Sequence, residues 1–189
     1  MTRVLIVYGT TEGHTAQIAE RMASVMRSEG CQVELHDAKA VRKQTVSGEF
    51  DGILVGGSVH SGEHQSSLRE FVKHNRDQLE RIPSAFFSVS LTAADPDDEA
   101  VTETQTMVNK FISETGWQPR WVETIAGALV YTQYNIFIRH MMKLIVKRQG
   151  RAELDTSRDY DFTDWYAVER FARDFAASIR GAVRAPSGV

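Results

Sequence analysis

Residues 3–15 read RVLIVYGTTEGHT, a continuous apolar run followed by a loop of threonine and glycine. Arg3–Tyr8 predicts a strand buried on both faces, because its apolar residues do not alternate with polar ones. An amphipathic helix is predicted over Gly13–Glu29, and Gly30 is its stop signal. A strand, a short loop and a helix in this order are typical of the first unit of an α/β protein.

The loop at residues 9–15 has the composition of an anion-binding site. Threonine hydroxyls can donate to phosphate oxygens, and the free N–H groups at a helix start favour negative charge. The loop lacks the lysine of the triphosphate motif G-x-x-x-x-G-K-[ST], and it is not G-x-G-x-x-G, so a monophosphate such as that of FMN suits it better. The alternative is a plain strand–turn–helix connection with a threonine N-cap. The predicted phosphate-binding residues are Thr10, Thr11, Glu12, Gly13, His14 and Thr15.

The rest of the chain alternates short apolar runs with amphipathic helices. Further strands are predicted at Gln32–His36, Phe50–Gly57, Ala85–Leu91 and Trp121–Tyr131. Further helices are predicted at Ser66–Leu79, Asp95–Thr115 and Asp164–Arg180. This alternation predicts an α/β fold with a doubly wound five-stranded parallel sheet and helices on both faces. One domain is predicted over residues 1–180, followed by a flexible tail at 181–189.

Two more small, polar loops follow predicted strands of this sheet. The carboxyl ends of parallel strands meet at one edge, where open α/β sheets bind their ligands. Together with residues 9–15, these loops can surround a phosphate and a flat ring. Their residues are Ser58, Val59, His60, Ser61 and Gly62 in one loop, and Ser88, Val89, Ser90 and Leu91 in the other.

Composition excludes several classes of protein. The formal charge of −3 on 189 residues is too mild to indicate a nucleic-acid partner. The single cysteine, Cys31, cannot form an internal disulfide, which fits a reducing compartment. No signal peptide and no apolar run of about 20 residues is present, so a cytoplasmic location is expected. The histidines lack the spacing of metal ligands, so no metal site is expected.

The stretch at about 132–162 is too long for an ordinary connection and is interpreted as an insertion. Its segment 134–151 is rich in apolar residues and contains five basic residues and no acidic one. Arg139, Lys143 and Lys147 are spaced four apart and predict a basic stripe on an amphipathic helix. Such a helix suits peripheral contact with an anionic membrane, or an apolar substrate carrying carboxylates. The alternatives are packing on its own domain or a contact in a homo-oligomer.

The loop at 10–15 matches the flavodoxin pattern [ST]-x-x-G-x-T. Most of the chain, about residues 2–180, also resembles the bacterial menaquinone-dependent protoporphyrinogen oxidase (dehydrogenase) family of flavodoxin fold. The blocks that carry this resemblance are 83–89 (PSAFFSV), 125–131 (IAGALVY), 142–147 (MKLIVK), 153–156 (ELDT) and 162–165 (FTDW).

The resemblance implies a flavodoxin-like fold with FMN as cofactor. It implies oxidation of protoporphyrinogen IX to protoporphyrin IX in haem biosynthesis, with a quinone, menaquinone in this family, as acceptor. It places the phosphate at residues 10–15 and the isoalloxazine ring between residues 58–62 and 88–91. Where many flavodoxins stack an aromatic ring on the flavin, this chain has His60, which leaves one flavin face more open. Tyr131, Arg139 and His60 are then candidate substrate-side groups. The implied location is peripheral, on the cytoplasmic face of the inner membrane.

Three alternative functions remain at the level of sequence. A flavodoxin-type electron carrier would be expected to dock through an acidic face, which the basic segment 134–151 does not supply. A membrane-associated scaffold would keep the fold without turnover. An FMN-dependent quinone reductase would use NAD(P)H, but the chain carries no separate nucleotide motif. No residue can be assigned as the general acid or base.

Overall fold

The computed structural model describes residues 1–46, 48–129 and 160–184. The strands are β1 (Arg3–Gly9), β2 (Gln32–Asp37), β3 (Gly52–His60), β4 (Glu63–His64), β5 (Ser84–Ser90), β6 (Trp121–Ala126), β7 (Ala128–Leu129) and β8 (Tyr160–Asp161). The α-helices are α1 (His14–Ser28), α2 (Ala38–Val41), α3 (Ser66–Arg81), α4 (Asp98–Thr115) and α5 (Trp165–Arg184), and a 3-10 helix spans Thr92–Ala94.

Five strands of the main sheet have the order β2-β1-β3-β5-β6, and all four of these neighbouring pairs are parallel. The prediction of five parallel strands is incomplete, because the short β4 adds a sixth strand that pairs antiparallel with β3. The order reverses at β1, so the connections on either side of that strand leave in opposite directions. The predicted doubly wound α/β fold is therefore confirmed. The carboxyl ends of β1, β3 and β5 lie side by side at this reversal.

Two hydrophobic cores cover the two faces of the sheet. Successive residues of β1 point to opposite sides: Val4 and Ile6 pack with α1 and α5, whereas Leu5 and Val7 pack with α3 and α4. All four side chains are buried, as the continuous apolar run predicts for a strand covered on both faces.

The predicted fifth strand, Trp121–Tyr131, is too long. β6 ends at Ala126, and Gly127 donates its N–H to the Ser90 carbonyl at 3.0 Å. The chain then leaves the main sheet, and β7 pairs antiparallel with β8. The sequence does not reveal the end of β6, because its apolar pattern continues across Gly127. Tyr131 and the segment 134–151 lie outside the described residues.

Two helix boundaries also differ from the prediction. The helix predicted from Asp95 begins at Asp98, because residues 92–94 form a 3-10 turn and Asp97 is the N-cap. The last helix continues to Arg184, beyond the predicted end at Arg180, since Gly181 does not stop it. The tail predicted from Gly181 thus begins inside a helix, and residues 185–189 lie outside the described residues.

Candidate functional site

An open cleft lies at the carboxyl edge of the sheet. It is bounded by the loop after β1, the end of β3, the end of β5 and the turn after β6. The residues that line it are Thr10, Thr11, Glu12, His14, Thr15, Ser58, Val59, His60, Val89, Ser90, Leu91, Gly127 and Ala128. The three loops predicted to meet do meet here, and the turn at Gly127–Ala128 is a fourth wall that the sequence did not reveal.

The loop between β1 and α1 presents uncapped backbone donors. Gly13 has a φ of 90°, a left-handed conformation that glycine adopts readily, and α1 has no side-chain cap and no acid in its first turn. The Gly13 N–H donates to Thr10 Oγ1 at 2.9 Å, which closes the loop. Thr15 is buried at the base of the cleft. Free N–H groups of the first helical turn are therefore available to an anion.

The second predicted loop is a tight hairpin. Ser58, Val59 and His60 still belong to β3, and β4 follows after a two-residue turn. Ser61 has a φ of 51° and Gly62 a φ of 80°, the left-handed pair expected in a type I′ turn. Ser61 and Gly62 are exposed at the tip and do not line the cleft, whereas Ser58, Val59 and His60 do.

His64 fixes this hairpin to the core. Its Nε2 lies 3.0 Å from Ser88 Oγ, and its ring packs against Phe86 and Phe111. Burial, reinforced by the nearby charge of Arg69, lowers the pKa of His64 to about 4, so the imidazole is neutral. Ser88 is predicted to flank the ring, but it is buried beneath the cleft against His64, because alternate residues of β5 face opposite sides of the sheet.

Gln65 joins two of the cleft loops. Its Nε2 donates to Ser58 Oγ at 2.5 Å and to Thr11 Oγ1 at 3.1 Å. Its Oε1 is buried and has no hydrogen-bond partner, and it occupies space that a Cβ at Gly9 would reach at 2.7 Å. Gln65 is not among the predicted site residues, since it lies beyond the predicted loop. Its only signal is a long amide side chain directly before α3.

The cleft walls carry little positive charge. Among the described residues that line the cleft, none is a lysine or arginine. Burial raises the pKa of Glu12, and the proximity of His60 opposes that increase. Among the described residues of the cleft, threonine hydroxyls and backbone N–H groups are the donors offered to an anion at the start of α1.

His14 lines the cleft and also contacts β8 and the chain that follows it. Its Nε2 lies 2.7 Å from Thr163 Oγ1 and 3.6 Å from Asp161 Oδ1. Burial lowers the pKa of His14, and Asp161 opposes this effect. Position 14 thus contacts residues almost 150 positions away, a relation that no local pattern could predict.

The described residues contain neither a metal-binding cluster nor a membrane-spanning helix. Within residues 1–46, 48–129 and 160–184, no group of three or more His, Cys, Asp or Glu side chains could hold a metal ion. In the same ranges, no helix is long and apolar enough to cross a membrane.

Comparison with known proteins extends these findings. Residues 5–156 match the model of a family described as a flavodoxin domain. The chain is 34% identical over 174 residues to a protein of Escherichia coli K12 named protoporphyrinogen IX dehydrogenase [quinone], and the alignment covers 92% of this chain and 94% of that protein. A Leishmania major protein of the same name is 36% identical, covering 93% and 75%. Oxidised flavodoxin 1 of Bacillus cereus shares the fold, with a TM-score of 0.52, 14% identity, and coverage of 93% and 98%.

Proposed function

We infer a function from the premise that this chain belongs to the flavodoxin domain family, and within it to the family of the protoporphyrinogen IX dehydrogenases [quinone]. The chain is an FMN-dependent oxidoreductase. Its reaction is the oxidation of protoporphyrinogen IX to protoporphyrin IX in haem biosynthesis, with a quinone as electron acceptor. The observation that carries this inference is the similarity to the Escherichia coli protein, which extends over 94% of that protein.

The chemistry of the cleft suits FMN. The uncapped start of α1 and the hydroxyls of Thr10, Thr11 and Thr15 would hold the phosphate. The ends of β3 and β5 would flank the ring. A monophosphate needs fewer compensating charges than a triphosphate, so a cleft without lysine or arginine suits it.

FMN, when bound, accepts a pair of electrons from one reactant and passes them to another. For each such pair, the porphyrinogen loses two hydrogens and one quinone becomes a quinol, so electrons and protons balance. The protein's own part is to bind the cofactor and to orient the substrate. His60, at the end of β3, lines the cleft and is the described candidate for contact with the ring or substrate. The other two candidates, Tyr131 and Arg139, lie outside the described residues.

We further propose that segment 134–151 brings the protein to the cytoplasmic face of the inner membrane, where menaquinone is dissolved. Its five basic residues, interleaved with apolar ones, support this proposal. The same basic residues could bind the substrate's propionates. The alternative is that segment 134–151 contacts a second copy of the chain.

An anaerobic assay tests the reaction. Purified protein loaded with FMN is mixed with protoporphyrinogen IX and a menaquinone analogue, and porphyrin fluorescence is followed. We expect fluorescence to rise well above a blank without protein and to require the quinone. A rate equal to the blank, with FMN still bound, would contradict the proposal. Quinone reduction by NAD(P)H without porphyrinogen would instead favour the quinone reductase alternative.

A further inference from the structure

The chain that follows β8 is hydrogen-bonded to the first residue of α1. His14 Nε2 lies 2.7 Å from Thr163 Oγ1, and Thr163 Oγ1 donates to the carbonyl of Ala126 at 2.9 Å. Three parts of the fold meet at this hydroxyl: the phosphate loop, the end of β6 and the chain returning from the insertion.

These hydrogen bonds fix the tautomer of the imidazole. The Thr163 hydroxyl has one proton, which it gives to Ala126, so it accepts at His14. His14 Nε2 must therefore carry the proton it donates, which leaves Nδ1 as an acceptor in the neutral ring. Burial lowers the pKa of His14 and favours this neutral form.

Asp161 holds the returning chain in the shape that presents Thr163. Asp161 Oδ1 accepts from the Thr163 N–H at 2.9 Å, and Oδ2 accepts from Trp165 Nε1 at 3.0 Å. Burial alone would raise the pKa of Asp161, but hydrogen bonds from Thr163 and Trp165 lower it. The Trp165 ring packs edge-on against His14 at 5.9 Å between centroids. Asp161 and Trp165, on either side of Thr163 in the chain, thus stabilise the His14–Thr163 contact.

The contact is partly shielded from water. The His14 side chain is 13% exposed. A hydrogen bond shielded in this way is stronger than its solvated equivalent, and removal of one partner leaves the other unsatisfied. His14 is also adjacent to Gly13 and Thr15, whose backbone and hydroxyl lie where the phosphate is expected.

We propose that His14 and Thr163 are positioning residues that form a latch, through which the returning end of the insertion holds the phosphate loop in its FMN-binding conformation. The latch is defined by His14, Asp161, Thr163 and Trp165. It depends on FMN binding by residues 10–15 and not on the identity of the oxidised substrate. Its failure is therefore distinguishable from failure of the proposed reaction.

The test measures binding to the apoprotein, by quenching of flavin fluorescence, for FMN and for riboflavin, which lacks the phosphate. The variant Thr163→Val removes the hydroxyl and keeps the shape of the side chain, and His14→Ala removes the other partner. Loss of one shielded hydrogen bond is expected to weaken FMN binding about 3- to 10-fold. Riboflavin affinity should change less than about 2-fold, because the ring site is untouched.

The chain offers a matched control. Thr45 Oγ1 and His74 Nε2 form a Thr–His contact of 3.0 Å on the surface, away from the cleft. Thr45→Val should leave both affinities unchanged. Urea unfolding of each apoprotein shows whether a variant is folded at the temperature of the titration. If His14→Ala is unfolded, Thr163→Val alone carries the test.

A double variant completes the test. If His14 and Thr163 act through one hydrogen bond, the combination of His14→Ala and Thr163→Val should weaken FMN binding no more than the larger single effect. Equal losses for FMN and riboflavin, additive losses in the double variant, or unchanged FMN affinity in both single variants would each overturn the latch.

Discussion

At the scale of single residues, His64 makes stability depend on pH. Its folded-state pKa of about 4 lies below the ordinary histidine pKa of 6.5, so the unfolded chain binds the proton more readily. The stability that the neutral ring contributes is full above pH 6.5 and is lost as pH falls toward 4. Between about pH 7 and about pH 5 this amounts to about 2 kcal/mol.

Urea unfolding at both pH values measures this dependence. We expect His64→Gln to be less stable than the parent protein near neutral pH and to lose less stability on acidification. His74→Gln is the control, since His74 is exposed. A variant at position 64 that keeps the parent's full pH dependence would show that other groups cause it.

Gln65 supports a second prediction at this scale. Its amide connects Thr11 to Ser58, so Gln65→Ala frees both hydroxyls and leaves a gap below Gly9. We expect FMN affinity to fall about 5- to 10-fold, equivalent to one or two hydrogen bonds. Fluorescence titration measures the affinity. Gln105→Ala serves as the control, because Gln105 is exposed on α4, where its Nε2 donates to Asn109 Oδ1. Equal affinities for the two variants would show that Gln65 does not shape the cleft.

The sequence predicts residues whose role follows from their position along the chain, and misses those whose role comes from contacts across it. Thr10 and Thr15 follow a buried strand and open a helix, so their position at the cleft was foreseeable. Ser88 was assigned to the cleft by proximity to the strand end, yet alternation turns its side chain into the core. Gln65 and Thr163 act through contacts with distant loops, for which no local spacing exists.

At the scale of elements, close packing of β3 against β5 depends on Gly56. A Cβ at this position would lie 1.9 Å from Phe87 Cζ in the core. Gly56→Ala should therefore destabilise the protein by about 3 kcal/mol or more, since a packed ring cannot move aside cheaply. Chemical denaturation gives the value.

The control for this prediction is the helical Gly181, where an added Cβ meets no atom within 4 Å. Gly181→Ala should be neutral or stabilising by up to about 1 kcal/mol, because alanine favours the helix. If Gly56→Ala were as stable as Gly181→Ala, the ring of Phe87 would have to adopt another position.

Elements with a single strong signal were predicted well, and boundaries set by tertiary contacts were not. β1 and α1 agree with the prediction to within a residue, because a buried run and an amphipathic stripe define them. The end of β6 depends on the Gly127–Ser90 hydrogen bond, and the start of α4 depends on a 3-10 turn. Neither leaves a hydropathy signal.

At the scale of the whole molecule, the proposed roles of the cleft and of segment 134–151 are separable. Replacement of 134–151 by a short Gly–Ser linker leaves the described cleft residues in place. We expect FMN affinity within about 3-fold of the parent and porphyrinogen oxidation reduced at least about 10-fold. Equal losses of binding and turnover would mean that the segment is needed for the fold of the cleft.

Charge within the segment gives a milder variant for the membrane proposal. Combined Arg139→Gln, Lys143→Gln and Lys147→Gln substitutions should reduce co-sedimentation with anionic lipid vesicles, and added salt should have the same effect on the parent protein. Binding that ignores both charge and salt would contradict an electrostatic contact with lipid headgroups.

The pairing of β7 with β8 has a consequence for how such a protein can change over time. Ala128–Leu129 and Tyr160–Asp161 are paired, so the two points of the fold that residues 130–159 connect lie side by side. Lengthening a loop rooted in this way costs little, about 0.6 kcal/mol for each doubling. Residues 130–159 can therefore be lengthened, shortened or replaced in evolution without a change in the main sheet. For the same reason, a foreign segment can be inserted between β7 and β8 to change the substrate of the same flavin site.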